Sequence, residues 1–179
     1  TDQVDPSQQL LGKHQKMALN PFRFLRGSSG LFYADIQSGV LQLPAALLQQ
    51  VPLTAVMGDC HVSNFGFFTE DGSYGERVIF APNDFDDACI GHAAWDISRY
   101  LVSLLLAADY CRGLKDGKYT NEDIEDLASL QAATSAEAEI AAKSFCQTYL
   151  QCCAAVAADP EFRFSTQDDF PKNHVLKPF

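Results

Sequence analysis

Two short acidic segments carry the residues best suited to chemistry. Gly58-Asp59-Cys60-His61-Val62-Ser63-Asn64-Phe65-Gly66 offers a carboxylate, an imidazole two residues on, and an amide five residues after the carboxylate. Asn83-Asp84-Phe85-Asp86-Asp87 adds a dense run of carboxylates. Taken singly, Asp and Asn are ordinary loop and capping residues. Brought into one space they are more than that, because crowded carboxylates repel and are relieved by protonation, by basic partners or by a hard divalent cation. A donor set of Asp59, Asn64, Asp84 and Asp86 is rich in oxygen and suits Mg²⁺ or Mn²⁺ better than zinc. Zinc finds little support, since the six cysteines form no Cys-x-x-Cys pair and His14, His61, His92 and His174 are scattered.

Elements of the right kind lie around these segments. Asn64 to Thr69 and Glu76 to Ala81 have the pattern of two strands, and Glu70-Asp71-Gly72-Ser73-Tyr74-Gly75 between them is turn chemistry, which predicts a hairpin. A hairpin returns the chain to its starting side, so the two acidic segments are expected to converge at one end of it. Thr54 to Met57 reads as a short strand leading into Gly58. Beyond the second segment the period changes. Ile97, Tyr100, Leu101, Leu104, Leu105 and Ala108 recur at three and four residues, the stripe of a helix on a core, beginning near Trp95. Capping boxes at Thr120-Asn121-Glu122-Asp123 and Thr134-Ser135-Ala136-Glu137 predict two further helices, the second running to about Ala158 before Asp159-Pro160. Shorter helices are expected over Leu11 to Leu19 and Pro44 to Gln50. Aromatics flanking Gly27-Ser28-Ser29-Gly30 suggest a tight turn pinned by core rings. Within that stretch Arg26 needs an anionic partner, either a ligand phosphate or a carboxylate of Asp59, Asp84 or Asp86.

The fold class expected is therefore α+β, mostly helical with one small β hairpin. Residues 1–179 are read as one domain or lobe of a longer protein, with 1–9 a loose lead-in, 10–110 the motif-bearing core and 111–179 a helical extension. Apolar residues make up 47% and charged ones 20%, the balance of a globular chain rather than a disordered one. A formal charge of −10 repels phosphate backbones and anionic lipid, so nucleic-acid and membrane partners are not expected. Neither a spanning segment nor a signal peptide is visible, and the cysteines, several of them in helical patterns, read as reduced thiols. The location expected is cytoplasmic.

The stretch Gly58 to Asn64 resembles the catalytic loop of the aminoglycoside and choline phosphotransferase branch of the protein-kinase-like superfamily, in which Gly-Asp-x-His-x-x-Asn precedes a hairpin and a metal-binding Asp-Phe-Asp segment. The resemblance implies a kinase-like catalytic lobe. It makes Asp59 the catalytic base, Asn64 and Asp84 the metal ligands with Asp86 beside them, and Asp96 a buried carboxylate bonded to the loop backbone, with His61 in support. Asp96 is equally well read as a first-turn helix carboxylate. More closely, Asn20-Pro21-Phe22-Arg23-Phe24-Leu25-Arg26-Gly27, the two acidic segments and Trp95-Asp96-Ile97-Ser98-Arg99 occur in the order seen in the bacterial domain-of-unknown-function 2252 family, over about Lys16 to Ala108.

A phosphotransferase of this superfamily also needs a glycine-rich phosphate cover and a strand lysine, and neither is recognisable here. The resemblance implies that members extend beyond such a segment. ATP is thus expected as a cofactor only where a nucleotide-binding half accompanies this chain, and the 179-residue chain alone is expected to show no ATP turnover. The leading expectation is an ATP- and Mg²⁺-dependent phosphotransferase acting on a small molecule. The alternatives are a non-catalytic module using the same acidic pocket and, more weakly, a metal-dependent phosphoesterase.

Overall fold

The computed structural model describes residues 12–49, 53–69, 74, 77–121, 123–124, 126–129, 131–159 and 161–162. These form two compact units: the described parts of Thr1–Val62 with Phe85–Ala142, and of Ser63–Asp84 with Lys143–Phe179. Helices and two small antiparallel sheets make the chain α+β in the broad sense.

In the first unit, helix α1 (Gly12–Met17) is followed by α2 (Pro21–Gly27) and α3 (Ser29–Ser38). Asn20 starts α2, its side chain accepting from the Arg23 N–H at 2.9 Å, with Pro21 preset for the first helical position. The expected tight turn around Gly27 to Gly30 is thereby corrected. The chain leaves helical geometry only at Ser28, between α2 and α3, so the aromatics on either side sit on two successive helices. Gly39, at φ 76, closes α3 in the left-handed conformation that an L side chain adopts at a cost. A short α4 (Ala45–Gln49) leads towards strand β1 (Leu53–Val56).

The partner of β1 is not the predicted hairpin but a separate strand, Cys89–His92, from Leu53 opposite His92 to Val56 opposite Cys89. Sequence reading does not find this strand. Its four residues include glycine and histidine, and alternate too briefly to register. Helix α5 (Ala93–Lys115) follows at once and packs against β1 and α2. Phe22 stacks with Tyr110 at 6.2 Å, Trp95 meets Tyr33 edge-on at 5.5 Å, and Phe22, Val56, Met57, Cys60, Ala94 and Leu114 are buried. Gly91 leaves room for Trp95: a Cβ there would stand 2.4 Å from the indole. At Asn121 the side chain accepts from the Asp123 N–H at 3.0 Å, an Asx turn. The helix expected from Asn121 is replaced, among the described residues, by a 3₁₀ turn over Leu127–Ser129, while Glu122 lies outside them. Thr134 and Glu137 form the predicted capping box, each bonded to the other's backbone N–H, at the start of α6 (Ser135–Ala158).

The second unit contains the predicted hairpin. In order along the chain its strands, Phe65–Thr69 and Val78–Pro82, are β2 and β3, and Cys89–His92 is β4. Phe65 pairs with Pro82 and Thr69 with Val78, and Phe67 and Phe80 meet across the ladder at 5.1 Å. The predicted turn lies mostly outside the described residues, as do the expected lead-in and the end of the helical extension. No described helix is long and apolar enough to cross a membrane, and all six cysteines are free thiols.

Candidate functional site

Loop Met57–Val62, between β1 and β2, is held to α5 by a polar stripe on an otherwise largely apolar helix. Asp96, Arg99 and Ser103 recur at three and four residues and so share one face. Each grips a different part of the loop. The Asp96 carboxylate accepts from the Met57 N–H at 2.6 Å and the Gly58 N–H at 3.2 Å. Ser103, fully buried, accepts from the Val62 N–H at 3.0 Å and donates to the Tyr100 carbonyl. Between them Arg99 donates to Asp59 Oδ1 in a charge-assisted pair. From α3, Tyr33 donates its hydroxyl to the Gly58 carbonyl at 2.7 Å.

Gly58 lets the loop turn. Its φ is 86, and a Cβ would lie 2.0 Å from the Asp87 carbonyl oxygen, so no larger residue fits without moving backbone. This contact brings part of the second acidic segment to the loop. The device is the β1–β4 ladder, whose Val56–Cys89 end has Gly58 on one side and Asp87 on the other. Asp87 also accepts from the Ser29 hydroxyl at 2.7 Å.

Asp59 retains only a small opening to solvent, its side chain 17% exposed. His61, buried, places Nε2 3.5 Å from Asp59 Oδ2. Burial alone would push the Asp59 carboxyl up, but the His61 hydrogen bond and the Arg99 guanidinium together outweigh it and hold the group below the usual carboxylate range. Asp96 moves the other way. There burial raises the carboxyl more than the two backbone N–H bonds and Arg99 lower it. Cys60, buried on the same loop and near Asp96, has its thiol pushed up to about 12 and is no nucleophile.

The other predicted residues fall as follows. Asp86 is exposed in the turn before β4, in the first unit. Asn64 and Asp84 belong to the second unit, at the open end of the β2–β3 hairpin, where the Asn83 N–H donates to the Asn64 carbonyl at 2.9 Å. Asn64 is buried and Asp84 exposed, and Asp84 adopts φ 61, a left-handed conformation that Asp and Asn tolerate better than most residues. Within neither unit do the described residues gather three or more His, Cys, Asp or Glu side chains able to hold a metal ion.

Arg26 does not meet the carboxylate partner expected for it. It is exposed, its guanidinium 5.9 Å from the Phe22 ring centre, and among the described residues it makes no ion pair. The arginine that meets Asp59 is Arg99, 1% exposed. An exposed α2 position lets Arg26 keep its charge in water, whereas α5 points Arg99 into the unit. Sequence reading gave Arg99, Ser103 and Tyr33 no role. The available signal was the recurrence of Asp96, Arg99 and Ser103 on one face of an apolar helix.

Residues 6–129 match the family described as uncharacterized proteins conserved in bacteria, DUF2252. No curated protein and no solved structure matches the chain. The match covers more than half of the chain, with the Met57–Val62 loop, the Asp87 contact and all three α5 residues that hold the loop inside it, and the chain belongs to the DUF2252 family.

Proposed function

We propose that this protein is a kinase-like, metal-dependent phosphotransferase that acts on a hydroxyl of a small molecule, and that Met57–Val62 is its catalytic loop. The observation that carries this reading is the Asp59 carboxylate, kept ionised between Arg99 and His61 on a loop whose backbone is fastened to α5. In phosphoryl transfer the protein's task is mainly positioning and charge stabilisation. An aspartate fixed in this way accepts the proton of an acceptor hydroxyl and aligns its oxygen. The Asp96 bonds keep the loop from shifting as it does so.

Asn64 and Asp84, both in the second unit, have the donor chemistry for Mg²⁺ or Mn²⁺. Mg²⁺ is commonly bound through one or two carboxylates, with water and substrate phosphates completing its shell, so a protein amide and carboxylate suffice. When bound, the cation would neutralise charge on the phosphates of ATP. ATP binding itself depends on a glycine-rich cover and a lysine supplied outside these motifs. The −10 charge supports a small-molecule substrate rather than nucleic acid or a membrane, and six free thiols support a cytoplasmic location.

A second reading, a non-catalytic binding module, is favoured by the Arg99 pair, since a carboxylate held below its usual range is a weaker base. Calorimetry with Mn²⁺ alone tests the metal role. The phosphotransferase reading expects Asp84→Asn to weaken Mn²⁺ binding at least about tenfold, a loss of roughly 1.4 kcal/mol. Equal affinity in wild type and variant would remove Asp84 from the metal site.

A further inference from the structure

Arg99 is the most deeply placed charge described in the chain. Its exposure is 1%, and a cation there is tolerated only with a close anion and good hydrogen bonds. One nitrogen supplies both. Nη2 donates to Asp59 Oδ1 and also, at 3.0 Å, to the Leu25 carbonyl in the last turn of α2. The guanidinium carbon lies over the ring of Phe32 on α3, 5.1 Å from its centre. Nε and Nη1 have no hydrogen-bond partner among the described residues, so the polar work of this side chain is concentrated at the nitrogen that faces Asp59.

We infer that Arg99 is the positioning residue of Asp59, fixing one carboxylate oxygen and tying it through the same nitrogen to the C-terminal turn of α2. The Leu25 carbonyl, which also accepts from the Ser28 N–H at 3.3 Å and the Ser28 hydroxyl at 3.4 Å, suits this because it lies at the negative end of the α2 dipole. With Oδ1 on Arg99 and Oδ2 facing His61, the plane of the carboxylate is set from both sides. Among the described residues, other titratable groups near Asp59 include Tyr33 on α3, Cys60 on the loop and Asp96 on α5. Burial pushes the Tyr33 hydroxyl and the Cys60 thiol up, so both are neutral at physiological pH, and the Arg99 guanidinium stands against the carboxylate. The inference rests on the phosphotransferase reading only in taking Asp59 as the group that meets the acceptor. Its test involves no turnover, so each can fail without the other.

The experiment is an NMR titration of the Asp59 side-chain carboxyl carbon in wild type, Arg99→Gln and Arg99→Lys. Gln keeps a hydrogen-bond donor and removes the charge, whereas Lys returns a charge near the position of Nη2. In Arg99→Gln the Asp59 midpoint is expected to rise by about one pH unit or more, a tenfold loss of acidity, and Arg99→Lys should recover at least half of that shift. A purely structural arginine would change the melting temperature and leave the midpoint alone. Coincident midpoints in wild type and Arg99→Gln would overturn the inference. Should Arg99→Gln not fold, the wild-type protein still decides: the Arg99 guanidinium ¹⁵N shifts should follow the Asp59 titration with the same midpoint, and a flat response would overturn it equally.

Discussion

Replacing Asp96 by Asn isolates the contact that fastens the loop to α5. The two carboxylate oxygens of Asp96 receive the Met57 N–H at 2.6 Å and the Gly58 N–H at 3.2 Å. Asn is nearly isosteric but has one acceptor oxygen, and its amide hydrogens would confront whichever backbone N–H the oxygen does not serve. One buried N–H is then left without a partner, at a cost of about 1–3 kcal/mol, and the remaining bond loses its charge assistance, roughly another 1 kcal/mol. Against this, burial disfavours the ionised Asp96, so a neutral replacement recovers part of the desolvation cost. The balance is a destabilisation of about 2 kcal/mol, which for a chain of this length lowers Tm by roughly 4–8 °C. Thermal melts by circular dichroism measure it, and hydrogen exchange at Met57, Gly58 and Asp59 localises it, since faster exchange should be confined to the loop. A melt within about 1 °C of wild type, with exchange at those amides unchanged, would refute the reasoning.

Gly58→Ala and Gly39→Ala separate steric conflict from backbone strain. Both glycines have positive φ, but a Cβ meets the Asp87 carbonyl oxygen at 2.0 Å in the first case and nothing within 4 Å in the second. Gly39→Ala should cost about 1–2 kcal/mol, the left-handed penalty, and Gly58→Ala should prevent native assembly of the loop, seen as a much lower melt or no soluble protein. Acid unfolding carries the mark of Asp59. Its folded-state proton affinity is depressed, so its stabilisation is complete above the unfolded value of about 3.9 and is lost as pH falls through the lower folded value. The stability gap between wild type and Asp59→Asn should therefore narrow as pH falls from about 5 towards 2, and a constant gap would contradict the shift. Asp96, raised in the folded state, acts with the opposite sign and cannot supply this acid-side loss.

Much of the frame is legible in the residues themselves. The β2–β3 hairpin, α5 and α6 each have a strong local cause: alternation bounded by a turn, a stripe at three and four residues, and a reciprocal capping box at Thr134 and Glu137. The Asp96 contact with the loop is legible only through the motif resemblance, since an acidic residue opening a helix is equally well a first-turn carboxylate. Less legible was anything decided by pairing at a distance. β4 has four residues and acquires its identity only from β1, so the ladder that brings Asp87 to Gly58 leaves no local pattern, whereas the return of the chain at the open end of the β2–β3 hairpin, where Asn83 meets Asn64, does. The choice between Arg26 and Arg99 is of the same kind. Both lie among apolar neighbours in sequence, and only the direction in which each helix faces decides that Arg26 meets water and Arg99 meets Asp59. A cation's partner is a property of the tertiary fold, and local pattern does not encode it.

The central claim, that Asp59 is the base of a phosphotransfer site, is tested most directly by phosphate transfer or release from γ-labelled ATP with Mg²⁺, in the full-length protein as encoded, for wild type and Asp59→Asn. Asn keeps the size of the side chain and can still accept from Arg99, so the far-ultraviolet circular dichroism at assay temperature should match wild type. Removing a positioned base typically costs about 10²–10⁴ in rate. The account predicts Mg²⁺-dependent turnover by wild type and a loss of at least about a hundredfold in a folded Asp59→Asn variant. No turnover by wild type, or an Asp59→Asn variant that works at the wild-type rate, would contradict it.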